Sequence, residues 1–279
     1  IDRAAENIRN ADCVIIGAGA GASTAAGIQY GGKRFTDNFG EFIEKYGVHY
    51  MTDMYAAGFY PYPSEEAKWG YWSKHALMNR FDPPALPLYT KLYDIVKSKE
   101  YFVLTTNVDH QFYKAGFDEK RIFATQGDYG KIQCQKACHS KTYDAKELFR
   151  KMDEARKDCL IPSELVPKCP VCGGNMAMNL RCDNYFVEDE AWHEAADRYA
   201  CFLEQNKDKK VVLLELGVGF NTPIIIRFPF EKMVRENPSY SLIRLNMDEA
   251  VVPESFGERA IGIGGDMAKA ITDIRGLVL

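Results

Sequence analysis

The sequence lacks the features that would point to a membrane or to nucleic acid. No apolar run reaches the roughly 18 residues that a membrane-spanning helix needs, and the first residues show no signal-peptide pattern. Positive charge is not in excess either, because 35 Lys and Arg stand against 39 Asp and Glu, for a net charge of -4. Such a chain is not expected to bind nucleic acid or anionic lipid. We therefore expect a cytoplasmic protein whose partner is a small molecule or another protein.

Cysteine is too sparse for a secreted disulfide scaffold, since only eight occur in 279 residues. Four of them form two close pairs, Cys134 with Cys138 and Cys169 with Cys172. Two such pairs present four thiolates in the tetrahedron that Zn²⁺ adopts in structural sites without an open position. His139 could replace one thiolate, but it adjoins Cys138 and would compete with it. The four cysteines are the predicted ligands of a structural zinc ion.

Short apolar segments alternate with helical patterns along much of the chain. Strands that are apolar on both faces and alternate with helices predict a parallel sheet covered on both sides. Ligands of such sheets bind at the carboxyl ends of the strands. The predicted strands are the start of CVIIGAGAGASTAAGI and the segments YFVLTTN, VVLLELGVGF, SYSLIRLN and RAIGIGG.

Changes in composition divide the chain into three parts. Residues 1–29, 88–130 and 183–279 carry the strand-helix alternation and are predicted to form a Rossmann-like domain. Residues 30–87 are rich in aromatic side chains and are predicted to be a helical insertion with a mobile lead-in around YGGKRF. Residues 131–182 have few large apolar side chains and need a metal to hold them together, as a zinc-binding module. The predicted fold class is α/β, a Rossmann-like parallel sheet domain with a smaller zinc-binding module and a helical insertion.

A glycine-rich turn follows the first predicted strand. Gly19, Gly21 and Gly27 place it at the mouth of a helix, where free N–H groups and the helix dipole attract phosphate. The alternative is a simple tight connection. The usual dinucleotide fingerprint also has an acidic residue about 20 positions further on, at the end of a second strand. Asp37 has the spacing but does not end a strand, so an ordinary dehydrogenase is not expected.

Taken together, the motifs of this chain resemble the sirtuin family. In order along nearly the whole chain they are GAGAS with TAAGI, TTNVD, a polar residue before Gly127, the two cysteine pairs, LELGVG, LIRLN and GGD. The resemblance implies a large Rossmann-like domain that binds NAD, a small zinc module, and NAD in the cleft between them. It also implies a cofactor-binding loop just after the dipeptide GI, at the start of the segment 30–87.

Carried over by position, the resemblance implies a set of contacts with NAD. An Asx turn at the end of a strand is the alternative interpretation of the two polar residues in TTNVD. The implied contacts are Gly19, Ala20, Gly21 and Ala22 for the pyrophosphate, Asn107 and Asp109 for the nicotinamide and its ribose, and Gly217, Val218, Gly219, Asn246 and Asp266 for the adenosine end.

The chain departs from the sirtuin deacylases in two places. Those enzymes have a His-Gly pair where this chain has Gln126 and Gly127, and a Gln side chain cannot take up a proton near neutral pH. The general-base contribution of roughly 10² to 10⁴-fold would be missing, so deacylation by the usual route is not expected. The Pro-Asp-Phe-Arg motif after GI is also absent. Arg34 and an aromatic neighbour could instead bind phosphate and shield the ribose.

An NAD site without a base can still transfer ADP-ribose directly to an incoming side chain, by positioning and electrostatics. The Gln-for-His exchange, TTNVD and Arg181 in NLRCDN resemble the macrodomain-linked, class M branch of microbial sirtuins. That resemblance implies mono-ADP-ribosylation of a lipoylated, glycine-cleavage H-like protein, with a macrodomain hydrolase as the partner that reverses the mark. Arg181 would steer the acceptor or stabilise developing charge, or it is a solvated residue that caps the zinc module. The predicted catalytic residues are Asn107, Asp109, Gln126 and Arg181.

Two other functions stay open on the sequence. One is a weak NAD-dependent protein deacylase. The other is a sensor that binds NAD or ADP-ribose without turnover.

Overall fold

A computed structural model describes residues 1–220 and 223–279. The chain divides into two compact units. Unit 1 comprises Ile1–Gly27, Pro84–Gln126 and Glu190–Leu279, and unit 2 comprises Ile28–Pro83 and Gly127–Asp189.

Eleven α-helices and nine strands are found in the described residues. The helices are α1 (Asp2–Asn10), α2 (Ala20–Ala25), α3 (Gly32–Tyr46), α4 (Met54–Gly58), α5 (Glu65–Ala76), α6 (Pro87–Val96), α7 (Gln111–Lys114), α8 (Lys146–Ala155), α9 (Glu190–Asn206), α10 (Arg227–Glu236) and α11 (Met267–Val278). The strands are β1 (Cys13–Ala18), β2 (Glu100–Thr105), β3 (Ile122–Ala124), β4 (Gly127–Cys134), β5 (Thr142–Asp144), β6 (Met176–Leu180), β7 (Val211–Leu216), β8 (Tyr240–Asn246) and β9 (Ala260–Gly264). In these parts of the chain, no helix is both long and apolar enough to cross a bilayer.

Unit 1 contains a six-stranded sheet in the order β3-β2-β1-β7-β8-β9, and every neighbouring pair in it is parallel. Side chains of each central strand alternate between two cores. Val14 and Ile16 pack in the core with helices α1, α6 and α11. Cys13 and Ile15 pack in the core with helices α9 and α10. The predicted α/β fold with a parallel sheet covered on both faces is confirmed.

Unit 2 combines a three-stranded antiparallel sheet, in the order β5-β4-β6, with helices α3, α4, α5 and α8. The sequence predicted the insertion 30–87 and the zinc module 131–182 as separate parts. The structure groups most of both in this one unit. Trp69 of α5 and Phe149 of α8 are fully buried with ring centroids 6.1 Å apart, so the two segments share a core.

The segment predicted as a mobile lead-in is largely helical. Helix α3 begins at Gly32 and therefore includes Arg34 and Phe35. Phe35 is only 1% exposed and stacks on Phe39 at 5.5 Å. The aromatic neighbour of Arg34 thus belongs to the core of unit 2, and the expectation that it shields a ribose is corrected.

Candidate active site

The carboxyl ends of the parallel strands in unit 1 carry most of the predicted site residues. β1 ends just before Gly19, β2 two residues before Asn107, β7 just before Gly217, and β8 at Asn246. The chain builds the sheet outward in one direction from β1 to β3 and in the other from β7 to β9. Ligands of open α/β sheets bind where this order reverses, at the carboxyl edge. The strand order therefore places the predicted site at the expected point of the sheet.

The glycines at this edge are required because two loops touch main chain to main chain. The Gly21 N–H donates to the Gly217 carbonyl at 2.9 Å. A Cβ on Gly21 would lie 2.7 Å from the Gly217 Cα, and a Cβ on Gly217 would lie 2.5 Å from the Ala22 nitrogen. Gly217 also has a φ of +58°, a backbone conformation that favours glycine. Packing between the loops, and not only access for a ligand, explains these glycines.

Most N–H groups of the predicted pyrophosphate loop donate hydrogen bonds to carbonyls of the protein itself. Gly19 donates to the Leu216 carbonyl at 2.9 Å, Gly21 to Gly217, and Ala22 to the Gly19 carbonyl at 3.0 Å. Ala20 is the first residue of α2 and is exposed. Of the four predicted contacts, Ala20 alone has an N–H that donates to no acceptor within residues 1–220 and 223–279, so it is available to a phosphate oxygen.

The loop after β2 is tied to the glycine loop by side chains. The Asn107 Nδ2 donates to the Gly19 carbonyl at 3.0 Å. Asp109 is 3% exposed and accepts from the Ser23 hydroxyl and, at 3.1 Å, from the Gln111 N–H. The hydrogen bond from the Gln111 N–H forms an Asx turn, so the Asx-turn interpretation of the TTNVD motif applies to Asp109. The Ser23 contact shows that Asp109 also has a long-range structural partner.

Two residues of this network were not predicted as site residues. Ser23 lies 3.2 Å from the hydroxyl of Tyr89, which is fully buried. Burial first, and then the charge of Asp109, raise the pKa of Tyr89 well above its usual range. Ser23 belongs to the glycine-rich motif, which was a usable signal. Tyr89 is one apolar position of helix α6, and no local pattern marks it.

Gln126 is half-buried and lies in the turn between β3 and β4. The preceding residue holds this turn, since the N–H of Thr125 donates to the Thr105 carbonyl at 2.9 Å and its own carbonyl accepts from Trp192 at 3.2 Å. Gly127 has a φ of +99°, and a Cβ there would lie 1.9 Å from the Asn179 carbonyl oxygen. The glycine of the Gln-Gly pair is therefore required by close backbone approach.

The predicted adenosine end is held by an arginine that sequence reasoning missed. The Val218 carbonyl accepts from Asn246 Nδ2 at 3.1 Å and from Arg227 Nη1 at 3.2 Å. Arg227 is 4% exposed and also donates to the Glu249 carbonyl, so it joins the loops after β7 and β8. A single Arg within the apolar run IIIRFPF was the available signal. Gly219 is exposed beside these anchored residues.

Asp266 has a structural role that the sequence did not assign to it. It is the N-cap of α11, and its carboxylate accepts from the Lys269 N–H at 3.0 Å. Side chains of this type at an N-cap satisfy N–H groups that a helix leaves unpaired. Contact with adenosine stays a prediction for this residue.

Arg34 and Arg181 belong to unit 2. Arg34 donates to the carbonyls of Gln29 at 2.9 Å and Met78 at 3.4 Å, and burial lowers its pKa. Within residues 1–220 and 223–279 it forms no ion pair with a carboxylate. Arg181 is exposed and pairs with Glu188. Arg181 is therefore exposed to solvent, as the alternative interpretation expected, and it also forms an ion pair.

The four predicted zinc ligands form one cluster, with all four sulfurs within 4.8 Å of one another. The Sγ atoms of Cys134 and Cys172 are 3.8 Å apart, and those of Cys138 and Cys169 are 3.6 Å apart. Backbone N–H groups of Cys172 and Val171 lower the pKa of Cys169 to about 6, whereas burial and the neighbouring thiols raise the pKa of Cys138. A low pKa favours the thiolate, which is the form that binds Zn²⁺. The residues fit a four-thiolate structural site.

His139 lies beside this cluster. Its Nδ1 is 3.1 Å from the Cys138 sulfur and its Nε2 is 2.9 Å from the Tyr143 hydroxyl. With four sulfurs already gathered, its place beside Cys138 agrees with the preference for the four cysteines as ligands.

No protein-family model matches the sequence. A protein ADP-ribosyltransferase of Staphylococcus aureus (strain Mu50 / ATCC 700699) is 40% identical over 266 residues, which are 95% of this chain and 84% of the relative. A probable bifunctional ADP-ribose hydrolase/ADP-ribosyltransferase of Fusarium oxysporum f. sp. cubense is 31% identical over 283 residues. That match covers 96% of this chain and 46% of the fungal protein.

Solved structures of Sir2 proteins share the fold. A mutant Sir2 homologue in complex with ADP-ribose has a TM-score of 0.62 at 14% identity, covering 100% of this chain and 96% of that chain. A complex of a Sir2 homologue with NAD has a TM-score of 0.59 at 15% identity, covering 100% of this chain and 93% of that chain. At these identities the likeness concerns the fold alone.

Proposed function

Because the chain belongs to the family of sirtuin-type protein ADP-ribosyltransferases, we propose that it is an NAD-dependent mono-ADP-ribosyltransferase. Its proposed acceptor is a lipoylated, glycine-cleavage H-like carrier protein. The observation that carries the proposal is Gln126, an amide at the end of β3 where the deacylases have a general base. The 40% identity with a relative named for protein ADP-ribosylation supports the same activity.

In this proposal NAD is the substrate and lies along the carboxyl edge of the unit 1 sheet. A phosphate oxygen accepts from the Ala20 N–H, and the nicotinamide ribose faces Asn107 and Gln126. The adenosine end contacts the loop that begins at Gly217. Support comes from the hydrogen bonds that join these loops, since a preorganised site does not have to rearrange when the substrate binds.

The proposed reaction breaks the bond between the ribose C1′ and the nicotinamide nitrogen and forms a bond from C1′ to the acceptor side chain. Nicotinamide leaves as the neutral molecule, and the acceptor releases its proton to solvent. Positive charge develops on the ribose as nicotinamide leaves. The buried carboxylate of Asp109, held by Ser23 and Gln111, supplies a fixed negative charge on this side of the sheet. Gln126 holds the ribose by hydrogen bonds and takes up no proton. Rate enhancement then comes from positioning and electrostatics.

The cysteine cluster would hold Zn²⁺ as a structural ion. Four protein thiolates leave no open position for a substrate or a water molecule. The metal would stabilise unit 2 and take no part in the transfer.

A macrodomain hydrolase is the proposed functional partner. The Fusarium relative is named a probable bifunctional ADP-ribose hydrolase/ADP-ribosyltransferase, and this chain spans 46% of that protein. A hydrolase that removes ADP-ribose would make the modification reversible.

Incubation with labelled NAD and a lipoylated H-like protein separates the three candidate functions. We expect label on the lipoylated carrier and none on the same carrier without lipoate. O-acyl-ADP-ribose formed from an acylated peptide would identify a deacylase instead. NAD that is bound but intact would identify a sensor.

Two substitutions test the residues assigned to the ribose. We expect Gln126→Ala to lower transfer about tenfold, because one aligned contact is lost. Asn107→Ala should lower it about 100-fold, because it also removes the bond to Gly19 that joins two loops. Initial rates of carrier labelling measure both. Full activity in Asn107→Ala would count against the whole assigned site.

A further inference from the structure

A pair of buried amide side chains lies in the core of unit 2, on the small antiparallel sheet. Gln133 of β4 is 3% exposed and Asn179 of β6 is 4% exposed. The Asn179 Nδ2 donates to the Gln133 Oε1 at 2.7 Å. Burial of two amides is costly unless they are hydrogen-bonded, so their other partners show what the pair stabilises.

Apart from a longer bond from the Gln133 Nε2 to the Cys134 carbonyl at 3.4 Å, the remaining hydrogen bonds of the pair go to one short segment of main chain. The Gln133 Nε2 donates to the Tyr185 carbonyl at 2.6 Å, and the Gln133 Oε1 accepts from the Val187 N–H at 2.9 Å. The Asn179 Nδ2 also donates to the Val187 carbonyl at 3.1 Å. The two side chains therefore bind this segment as a neighbouring strand would, holding both polar groups of Val187.

The residues on either side of Val187 both contact the Arg181 side chain. The Arg181 guanidinium pairs with Glu188 and lies 4.3 Å from the ring centroid of Phe186. A Cβ on Gly127, the residue after Gln126, would lie 3.2 Å from the same Phe186 ring. Fixing Val187 thus fixes the carboxylate and the ring that orient the Arg181 side chain.

We propose that Gln133 and Asn179 are positioning residues that hold the Arg181 guanidinium in place for the acceptor. The inference rests on the proposed function, since it assigns Arg181 to acceptor transfer. It adds a cause for the orientation of Arg181, whose exposed side chain pairs with Glu188 and lies over the Phe186 ring. The two amides act through Val187 and touch neither substrate.

The test uses Gln133→Met and Asn179→Leu, which keep side-chain size and remove the amide, each alone and together with Arg181→Ala. We expect each single variant to lower transfer to the lipoylated carrier about tenfold while NAD affinity changes less than about twofold. In the Arg181→Ala background, the same substitutions should lower transfer by less than about twofold further. The effects of substitutions at residues that act through one another are not additive. An equal loss with and without Arg181 would show a merely structural role and overturn the proposal.

Two controls keep the result interpretable. Asn206→Leu replaces another buried amide, 3% exposed in unit 1 and bonded to the Phe202 carbonyl, and should leave transfer unchanged. NMR of the Arg181 side-chain Nε–H measures its order without any acceptor. We expect broadening of this signal in Gln133→Met. An unchanged NMR signal overturns the positioning role. If the wild-type protein labels no carrier, the proposed function is overturned, and the NMR result alone decides the positioning role.

Discussion

Unit 1 and unit 2 bury their side chains in different ways. In unit 1, residues such as Val14 and Ile15 alternate between two hydrophobic cores of mixed aliphatic and aromatic side chains, one on each face of a parallel sheet. In unit 2, aromatic rings fill much of the interior, with Phe39, Phe42 and Tyr71 fully buried in mutual contact, and four thiols cluster at the small sheet. We infer that regular periodicity specifies unit 1, whereas unit 2 depends on individual contacts and on a metal.

Removal of the metal should produce the largest difference in stability between the two units. We expect a strong chelator, or Cys169→Ser, to unfold unit 2 and to lower carrier labelling at least about 100-fold, since structural zinc contributes on the order of 10 kcal/mol to folding. Hydrogen exchange read by mass spectrometry should show residues 127–189 losing protection while strands β1 and β7 keep theirs. Cys201→Ser, which changes an exposed cysteine of unit 1, is the matched control. If residues 127–189 kept their hydrogen-exchange protection in metal-free protein, unit 2 would not depend on the metal.

Within unit 1, the most sensitive contact should be the one between the glycine loops. Gly217→Ala puts a Cβ 2.5 Å from backbone atoms of Gly21 and Ala22, at a φ of +58°. We expect a loss of about 3 kcal/mol or more in the free energy of unfolding, measured in urea, together with weaker NAD binding. Gly276→Ala is the control, because its Cβ would meet open space in α11 and should stabilise the helix by about 0.5 to 1 kcal/mol. Equal stability of the two variants would show that the loops do not need their close approach.

Acid should weaken unit 2 through a histidine in its aromatic core. Burial first, and then the charge of Arg34, lower the pKa of His75 from 6.5 to about 3. Between these values the unfolded chain takes up a proton that the folded chain refuses, so stability falls as pH decreases from about 6.5 towards 3. One such group contributes a slope of about 1.4 kcal/mol per pH unit.

The variant His75→Phe removes this titration and fills similar space. Its unfolding free energy, measured in urea at pH 7.5, 6.5 and 5.5 with excess zinc, should lose the part of the slope that His75 supplies. Parallel curves for wild type and variant would mean that His75 does not titrate as its burial implies. The zinc ligands are the same in both proteins, so their own pH dependence cancels in the comparison.

The smallest effect on stability is expected at the predicted adenosine end of the unit 1 site. Asp266→Ala removes the N-cap of α11 and should cost about 1 kcal/mol in thermal or urea unfolding, and Asp266→Ser should recover most of it. Asp273→Ala removes another carboxylate of the same helix, paired with Lys269 at the surface, and should cost less than about 0.5 kcal/mol. If Asp266→Ser restores stability but not NAD affinity, the carboxylate contacts the substrate as well as the helix.

Local patterns predicted the elements of the sheet closely. YFVLTTN covers β2 except for its first residue, and VVLLELGVGF contains β7. The pattern failed around YGGKRF, where glycines suggested a loop. There, Phe35 finds partners in the aromatic core, and this tertiary contact favours the helix over the local preference of glycine.

The sequence by itself determined the parallel sheet, the four cysteine ligands and the order of the polar residues at the strand ends. These features follow from periodicity and from short spacings, which act between neighbours in the chain. Only the tertiary structure decided that Gly21 lies against Gly217, that Tyr89 supports Ser23 and Asp109, and that two distant segments form unit 2. The partners in these contacts are far apart in sequence, and no local pattern records which residues burial and backbone packing bring together.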